Sequence, residues 1–170
     1  MTRRFVAIRL KVPDNTAYTA LVALQRLGVD VGQVERATIV PVGDGDDAAV
    51  LERVRRDESL FNPNLHEVEI RNTLEPEPGE MVVREVPGSD DMSFPRRRSH
   101  IRASRARDDK VEGRARVRPA KRATQTSWKL FDRDGHPVSK ATLGLARDVL
   151  LCNPAIEEAE MPCDGGELPA

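Results

Sequence analysis

At 170 residues, 39% hydrophobic but only 4% aromatic, the chain has room for one ordinary domain or two small ones with thin aliphatic cores. No run approaches the roughly 18 apolar residues of a membrane span, and two cysteines of unlike setting, Cys152 before Asn-Pro and Cys163 in a polar tail, make no disulfide framework. The net charge of −1 hides an uneven distribution: residues 96–122 hold 12 Arg and Lys against 3 Asp and Glu, a local +9 that leaves −10 for the rest.

Basic residues open the chain, but Arg9 and Lys11 interrupt the apolar run that follows. That excludes a signal-peptide core and suits a half-buried strand over Phe5–Val12, so a cytoplasmic protein is expected. Pro13-Asp14-Asn15-Thr16 then offers a turn, with Asp14 or Asn15 as the helix N-cap. Ala17, Leu21, Leu24 and Leu27 share a helical face that Gly28 closes. A second strand is expected over Val34–Val42, then a helix turning Val50, Leu51 and Val54 inward and ending before Asn62-Pro63. Leu65–Arg71 reads as the last strand of a β-α-β-α-β unit, an α+β arrangement of the ferredoxin-like kind.

Residues 73–92 are rich in Glu and Pro apart from a short strand at Met81–Val86. The arginine-rich stretch follows, with a weak helix near Ile101–Arg107, alternation over Arg114–Arg118 and too few apolar residues to order 88–111. Thr126–Phe131 is a further strand. Val138, Ala141, Leu145, Val149 and Cys152 form a helical stripe beginning at Pro137, and Ile156–Met161 closes the pattern.

Self-similarity organises these elements. Leu60–Ile70 aligns with Leu151–Met161 at a spacing of 91 residues, sharing Asn62-Pro63 with Asn153-Pro154 and the glutamates that follow. At the same spacing Arg56-Asp57 falls on Arg147-Asp148, and the strand at Ala37–Val42 falls on Trp128–Phe131 and beyond. The alternative is a chance match of two ordinary helix–loop–strand exits.

The exit Leu150-Leu-Cys-Asn-Pro-Ala-Ile-Glu-Glu158 and its worn counterpart Leu60-Phe-Asn-Pro-Asn-Leu-His-Glu67 resemble the C-terminal half of the PurS family. PurS is the small subunit of phosphoribosylformylglycinamidine synthase in purine biosynthesis. The first strand and Ala20–Gly28 are similar to that family's first strand and Ala-Leu-rich helix, and Glu112–Arg118 to its basic second strand. The family's Val-Arg-x-Gly-Lys hairpin is absent from the first copy, where Glu35-Arg-Ala-Thr-Ile39 stands. This resemblance implies a tandem of two degenerate PurS-like modules packed as a pseudo-dimer, over residues 1–72 and 112–162. Residues 73–111 would be a connection and degenerate start of the second module, and 163–170 a disordered tail. It further implies a non-catalytic subunit that bridges glutaminase and synthase subunits of an amidotransferase, as a pseudo-dimer or higher homo-oligomer.

Neither a catalytic, a cofactor nor a metal site is expected. His66, His100 and His136 have no acid or nucleophile arranged near them in sequence. Asp132-Arg-Asp-Gly135 begins like a calcium loop but lacks the later carboxylates, so it reads as a tight turn. Cys152 lies on the apolar stripe and reads as a small buried hydrophobe. Arg96, Arg97, Arg98, Arg102, Arg114, Arg116 and Arg118 are candidate contacts to phosphate or to an acidic partner, or else a solvated linker. A nucleic-acid-binding accessory protein is therefore the alternative reading, although the stretch offers no Tyr or Trp for base stacking.

Overall fold

The structure, a computed structural model, describes residues 4–86 and 124–163. Along them run β1 (Arg4–Leu10), α1 (Asn15–Arg26), β2 (Gln33–Gly43), α2 (Asp47–Arg55), β3 (His66–Arg71), β4 (Glu80–Glu85), β5 (Gln125–Phe131), α3 (Lys140–Ala146) and β6 (Glu157–Glu160). Among the described residues these strands form a six-stranded sheet in the order β3-β1-β2-β5-β4-β6, antiparallel at every pairing. The fold is mixed α+β. The arginine-rich stretch, with its expected weak helix and alternating segment, lies outside the described residues.

Alternation decides which face each strand buries. Val6 and Ile8 of β1 and Val40 of β2 point to one face, where Val50 and Val54 of α2 cover them. Val34, Met81, Val83 and Leu130 point the same way further along the sheet, under α1 and α3. The helices thus make a single layer on that face. Asp14 caps α1, its carboxylate accepting the N–H groups of Thr16 and Ala17 at 2.8 and 3.2 Å. Asp46 and Ser139 cap α2 and α3 in the same manner.

Two helical faces differ from the sequence expectation. In α1 the inward residues are Ala17, Ala20 and Leu24, whereas Leu27 is 54% exposed because the helix ends at Arg26 and the chain turns away. In the C-terminal helix, Leu143, Ala146 and Leu151 are buried while Leu145 and Val149 face solvent. Helix α3 starts after the Ser139 cap, since Pro137 still bridges Phe131 at the sheet margin. A single π turn, Arg147–Leu151, then adds a residue to the winding and rotates the stripe.

The opposite sheet face is lined by small side chains. Ala7, Ala37 and Ser127 lie there with Ile39 and Val82, all buried. The connection from β3 to β4 has to pass from an edge strand to the fifth strand, and Leu74 of that connection packs into this face. Gly79 ends the crossing at φ +73°, where an added Cβ would stand 2.8 Å from both the Leu130 carbonyl oxygen and Pro137. Strand β4 falls within the expected 73–111 connection, and it pairs with both β5 and β6.

The two Asn-Pro exits adopt one geometry. Asn62 O accepts the N–H groups of Leu65 and His66 at 3.0 and 2.8 Å, and Asn153 O those of Ile156 and Glu157 at 3.0 and 2.8 Å. Each asparagine carboxamide accepts the N–H two residues on, at 2.9 and 3.1 Å. Beyond them Lys11 N donates to Leu65 O and Val86 N to Ile156 O, both at 2.8 Å. Asn62→Ala and Asn153→Ala are therefore expected to destabilise the protein by similar amounts, roughly 0.5–1.5 kcal/mol each. Urea unfolding measures both, and a loss confined to one of them would contradict the equivalence.

Candidate functional site

The most completely built polar cluster lies on the small-residue face. Arg71, at the end of β3, donates from Nη1 and Nη2 to Oε1 and Oε2 of Glu80 at 2.9 and 2.7 Å. Glu77 N donates to Glu80 Oε2 at 2.8 Å, and the Ser127 hydroxyl donates to Glu80 Oε1. Arg71, Glu80 and Ser127 are all buried. Burial by itself raises the Glu80 carboxyl, but the Arg71 guanidinium and the two further donors outweigh it and hold it below its ordinary 4.5. The same bond to Glu80 raises Arg71 further. At the cluster's rim Glu77 joins Lys129 at 2.6 Å and is likewise held below its usual range, chiefly by that lysine.

Sequence reading missed this cluster. Glu80 stands at the end of a Glu- and Pro-rich run that reads as linker, and nothing local names Arg71 as its partner. The contact depends on how the sheet bends, which no local pattern encodes.

A second polar group sits where α1 begins. Arg36 Nε donates to Asp14 Oδ2 at 2.9 Å, joining β2 to the cap of α1. Burial raises the Asp14 carboxyl, and the Arg36 bond with the two cap bonds more than reverses this, leaving it lowered. The adjoining cleft, about 230 Å³, is lined by Ile8, Leu10, Arg36, Thr38, Leu60 and His66. That is below the roughly 300 Å³ at which ligand pockets begin, whereas a second cleft beside the same pair, lined by Val12, Tyr18, Leu21 and Glu35, reaches about 450 Å³. His66 Nδ1 accepts the Asn62 N–H at 3.0 Å, so this nitrogen serves the exit loop.

The Asp132–His136 segment is a turn, as its sequence suggests. Asp132 Oδ1 accepts the N–H groups of Asp134 and His136 at 2.9 and 2.8 Å, and these bonds lower its carboxyl. Its other oxygen lies 3.7 Å from His136 Nδ1. Cys152 is half-buried and its thiol faces the Glu157 carbonyl oxygen at 3.7 Å. Burial first, and then the Glu157 charge, push that thiol up, away from the reactive thiolate.

Asn62, Pro63, Asn153 and Pro154 stand exposed at matching exits on opposite wings of the sheet. Arg96, Arg97, Arg98, Arg102, Arg114, Arg116, Arg118 and His100 lie outside the described residues. No helix among the described residues is long and apolar enough to cross a membrane. No family model matches the chain, and neither the search of curated proteins nor that of solved structures returns a match.

Because Glu80 is held below its ordinary 4.5, its contribution is fully present above that value and is lost as pH falls through the lower folded-state pKa. Glu80→Gln is expected to cost about 1–3 kcal/mol at pH 7, since it leaves the buried Arg71 with only Glu77, 3.3 Å away at the cluster's rim, as counter-charge. The gap between wild type and variant should narrow as pH drops from about 5 to 3. Urea unfolding across that range checks both. A gap that stays constant would remove the ion pair from its assigned role.

Proposed function

We propose that the chain is a fused pair of PurS-like copies acting as a non-catalytic assembly subunit of a formylglycinamide ribonucleotide amidotransferase, within purine biosynthesis. The observation that carries this reading is the sheet order. Exchanging β1 with β4, β2 with β5 and β3 with β6 returns the same sequence of strands. The matched exits relate Glu67 to Glu158, and the pairings then relate Arg9 to Arg84 and Ala37 to Gln125, three residues short of the Trp128 that a spacing of 91 gives for Ala37. The exchange relates Thr38 to Thr126, which face each other one pair in from the Ile39–Gln125 end of the β2–β5 pairing. On the wings Arg9 binds Glu69 while Arg84 binds Glu158 and Glu160, so the related positions carry related ion pairs.

In this reading β2–β5 replaces the sheet contact between two separate subunits. Fusion removes an association cost of several kcal/mol and frees each copy to diverge. The subunit's work is to bridge a glutaminase and an ATP-dependent synthase so that ammonia passes between them.

A second reading rests on charge. Of the chain's 27 Lys and Arg, 12 fall within residues 96–122, a density suited to phosphate contacts with nucleic acid.

Reconstitution separates the two. Adding the full chain to glutaminase and synthase subunits of that enzyme should raise glutamine-dependent turnover and leave ammonia-dependent turnover unchanged. The protein alone should hydrolyse neither glutamine nor ATP. No effect on turnover, together with tight RNA binding that weakens steeply with salt, would replace the first reading with the second.

A further inference from the structure

Strand β2 outruns β1. The two pair only as far as Arg9 and Ala37, whereas β2 continues to Gln33 with β5 on its other side. Beyond Leu10 the chain keeps to β3, Lys11 N donating to Leu65 O at 2.8 Å, and then turns through Pro13 into α1. The cleft of about 450 Å³ is the slot that opens between this turn and the free edge of β2, and the consecutive residues Gly32–Arg36 line it. Its two sides differ in chemistry. Toward the helices lie Val34, Ala17 and Leu21, with Val12 and Tyr18 45% and 66% exposed at the mouth. Toward the small-residue face lie Glu35, which alternates with Val34, and Glu67, which pairs with Arg9 across the strands. The neighbouring cations are taken, Arg9 by Glu69 and Arg36 by Asp14. Glu35 accepts the neutral Gln33 amide at 2.9 Å, and neither it nor Glu67 is ion-paired among the described residues.

We propose that this slot takes an extended segment of another protein, basic and apolar residues alternating, as a short added strand antiparallel to β2. Main-chain bonds to the free edge supply the hold, and alternate side chains supply the selectivity. The apolar side chains turn to Val34, Leu21 and Tyr18, and the basic ones to Glu35 and Glu67. The register follows from β1. Lys11 gives its N–H to β3, so the intervening residues, such as the helix-facing Ile8, turn theirs to β2. A strand added in the same line and direction therefore bonds β2 through its apolar, helix-facing residues. This chain carries one such alternation itself, in Arg114-Ala-Arg-Val-Arg118. Only residues 119–124 join it to β5, which begins opposite Ile39 at the other end of β2, so reaching the slot in that direction draws them almost straight across the sheet. A separate partner meets no such limit. Nothing here depends on which enzyme the chain serves.

Fluorescence anisotropy on the full chain in about 0.15 M salt tests this with a labelled peptide, Arg-Val-Arg-Val-Arg, blocked at both ends. Its Kd is expected at roughly 10–100 µM, since so short a strand leaves little surplus over the cost of ordering it. The peptide Arg-Arg-Arg-Val-Val, equal in charge but without alternation, should bind at least about tenfold more weakly. Methylating the main-chain nitrogens of the valines should abolish binding, while methylating those of the arginines should change it by no more than about twofold. The double variant Glu35→Gln, Glu67→Gln, with unchanged circular dichroism, should weaken binding about five- to twentyfold. No binding up to about 500 µM, equal affinity for the two peptides, equal harm from either methylation, or full affinity in the double variant would each overturn the proposal. If the peptide binds only after Arg114, Arg116 and Arg118 are replaced by serine, the chain's own segment is the occupant and the partner is ruled out.

Discussion

The buried pair of Arg71 and Glu80 sets the shape of the whole sheet. Four strand spacings separate β3 from β4, about 19 Å in a flat sheet at roughly 4.8 Å each, and the two residues also sit toward opposite strand ends. Direct bonds of 2.9 and 2.7 Å require the sheet to curl around this face until diagonal corners meet. The curl explains why Ala7, Ala37 and Ser127 line the inside, where larger side chains would hold the corners apart. It also explains why the crossing from β3 to β4 is short. A buried ion pair adds little net stability over an apolar substitute, but breaking one partner leaves a bare charge. The pair is therefore better understood as fixing one curvature than as supplying cohesion.

Helices tie the two halves of the sheet together a second time. Helix α1 follows β1 in sequence, yet its buried face packs with Met81, Val83, Leu130, Leu143 and Ala146 instead of Val6 and Ile8. The Arg36–Asp14 bond fixes where α1 begins relative to β2. Curl, central pairing and helix placement thus converge on one arrangement, with the exposed side of α1 turned outward from it. The assembly role proposed above needs such a body: a partner reads a surface whose parts keep their spacing.

Strands and caps were legible in the sequence because they rest on local rules. Alternation locates β1, β2, β3 and β5 to within a residue or two, and of the two cap candidates for α1, Asp14 and Asn15, it is Asp14 that caps. The Asn-Pro exits were legible for the same reason, each being a self-contained loop with its own hydrogen bonds. What escaped were features set by distant chain. The C-terminal stripe differs because α3 turns Leu143 and Ala146 inward, leaving Leu145 exposed, and the π turn that follows brings Leu151 into the core with Val149 outside. Glu80 looked like linker because its partner lies across a curled sheet.

The position of β4 has a consequence for synthesis. It lies between β5 and β6, both encoded after it, so when β4 leaves the ribosome neither neighbour exists. At roughly 5–20 residues per second, β5 arrives about 2–8 s later and β6 about 4–15 s later. The first three strands can pair in the meantime, but the outer edge of β2 and both edges of β4 wait open. Met81-Val82-Val83, all destined for burial, is then an aggregation-prone stretch of the nascent chain. The acidic crossing just upstream, with Glu75, Glu77 and Glu80, supplies the flanking charge that keeps such a stretch soluble until its partners are made.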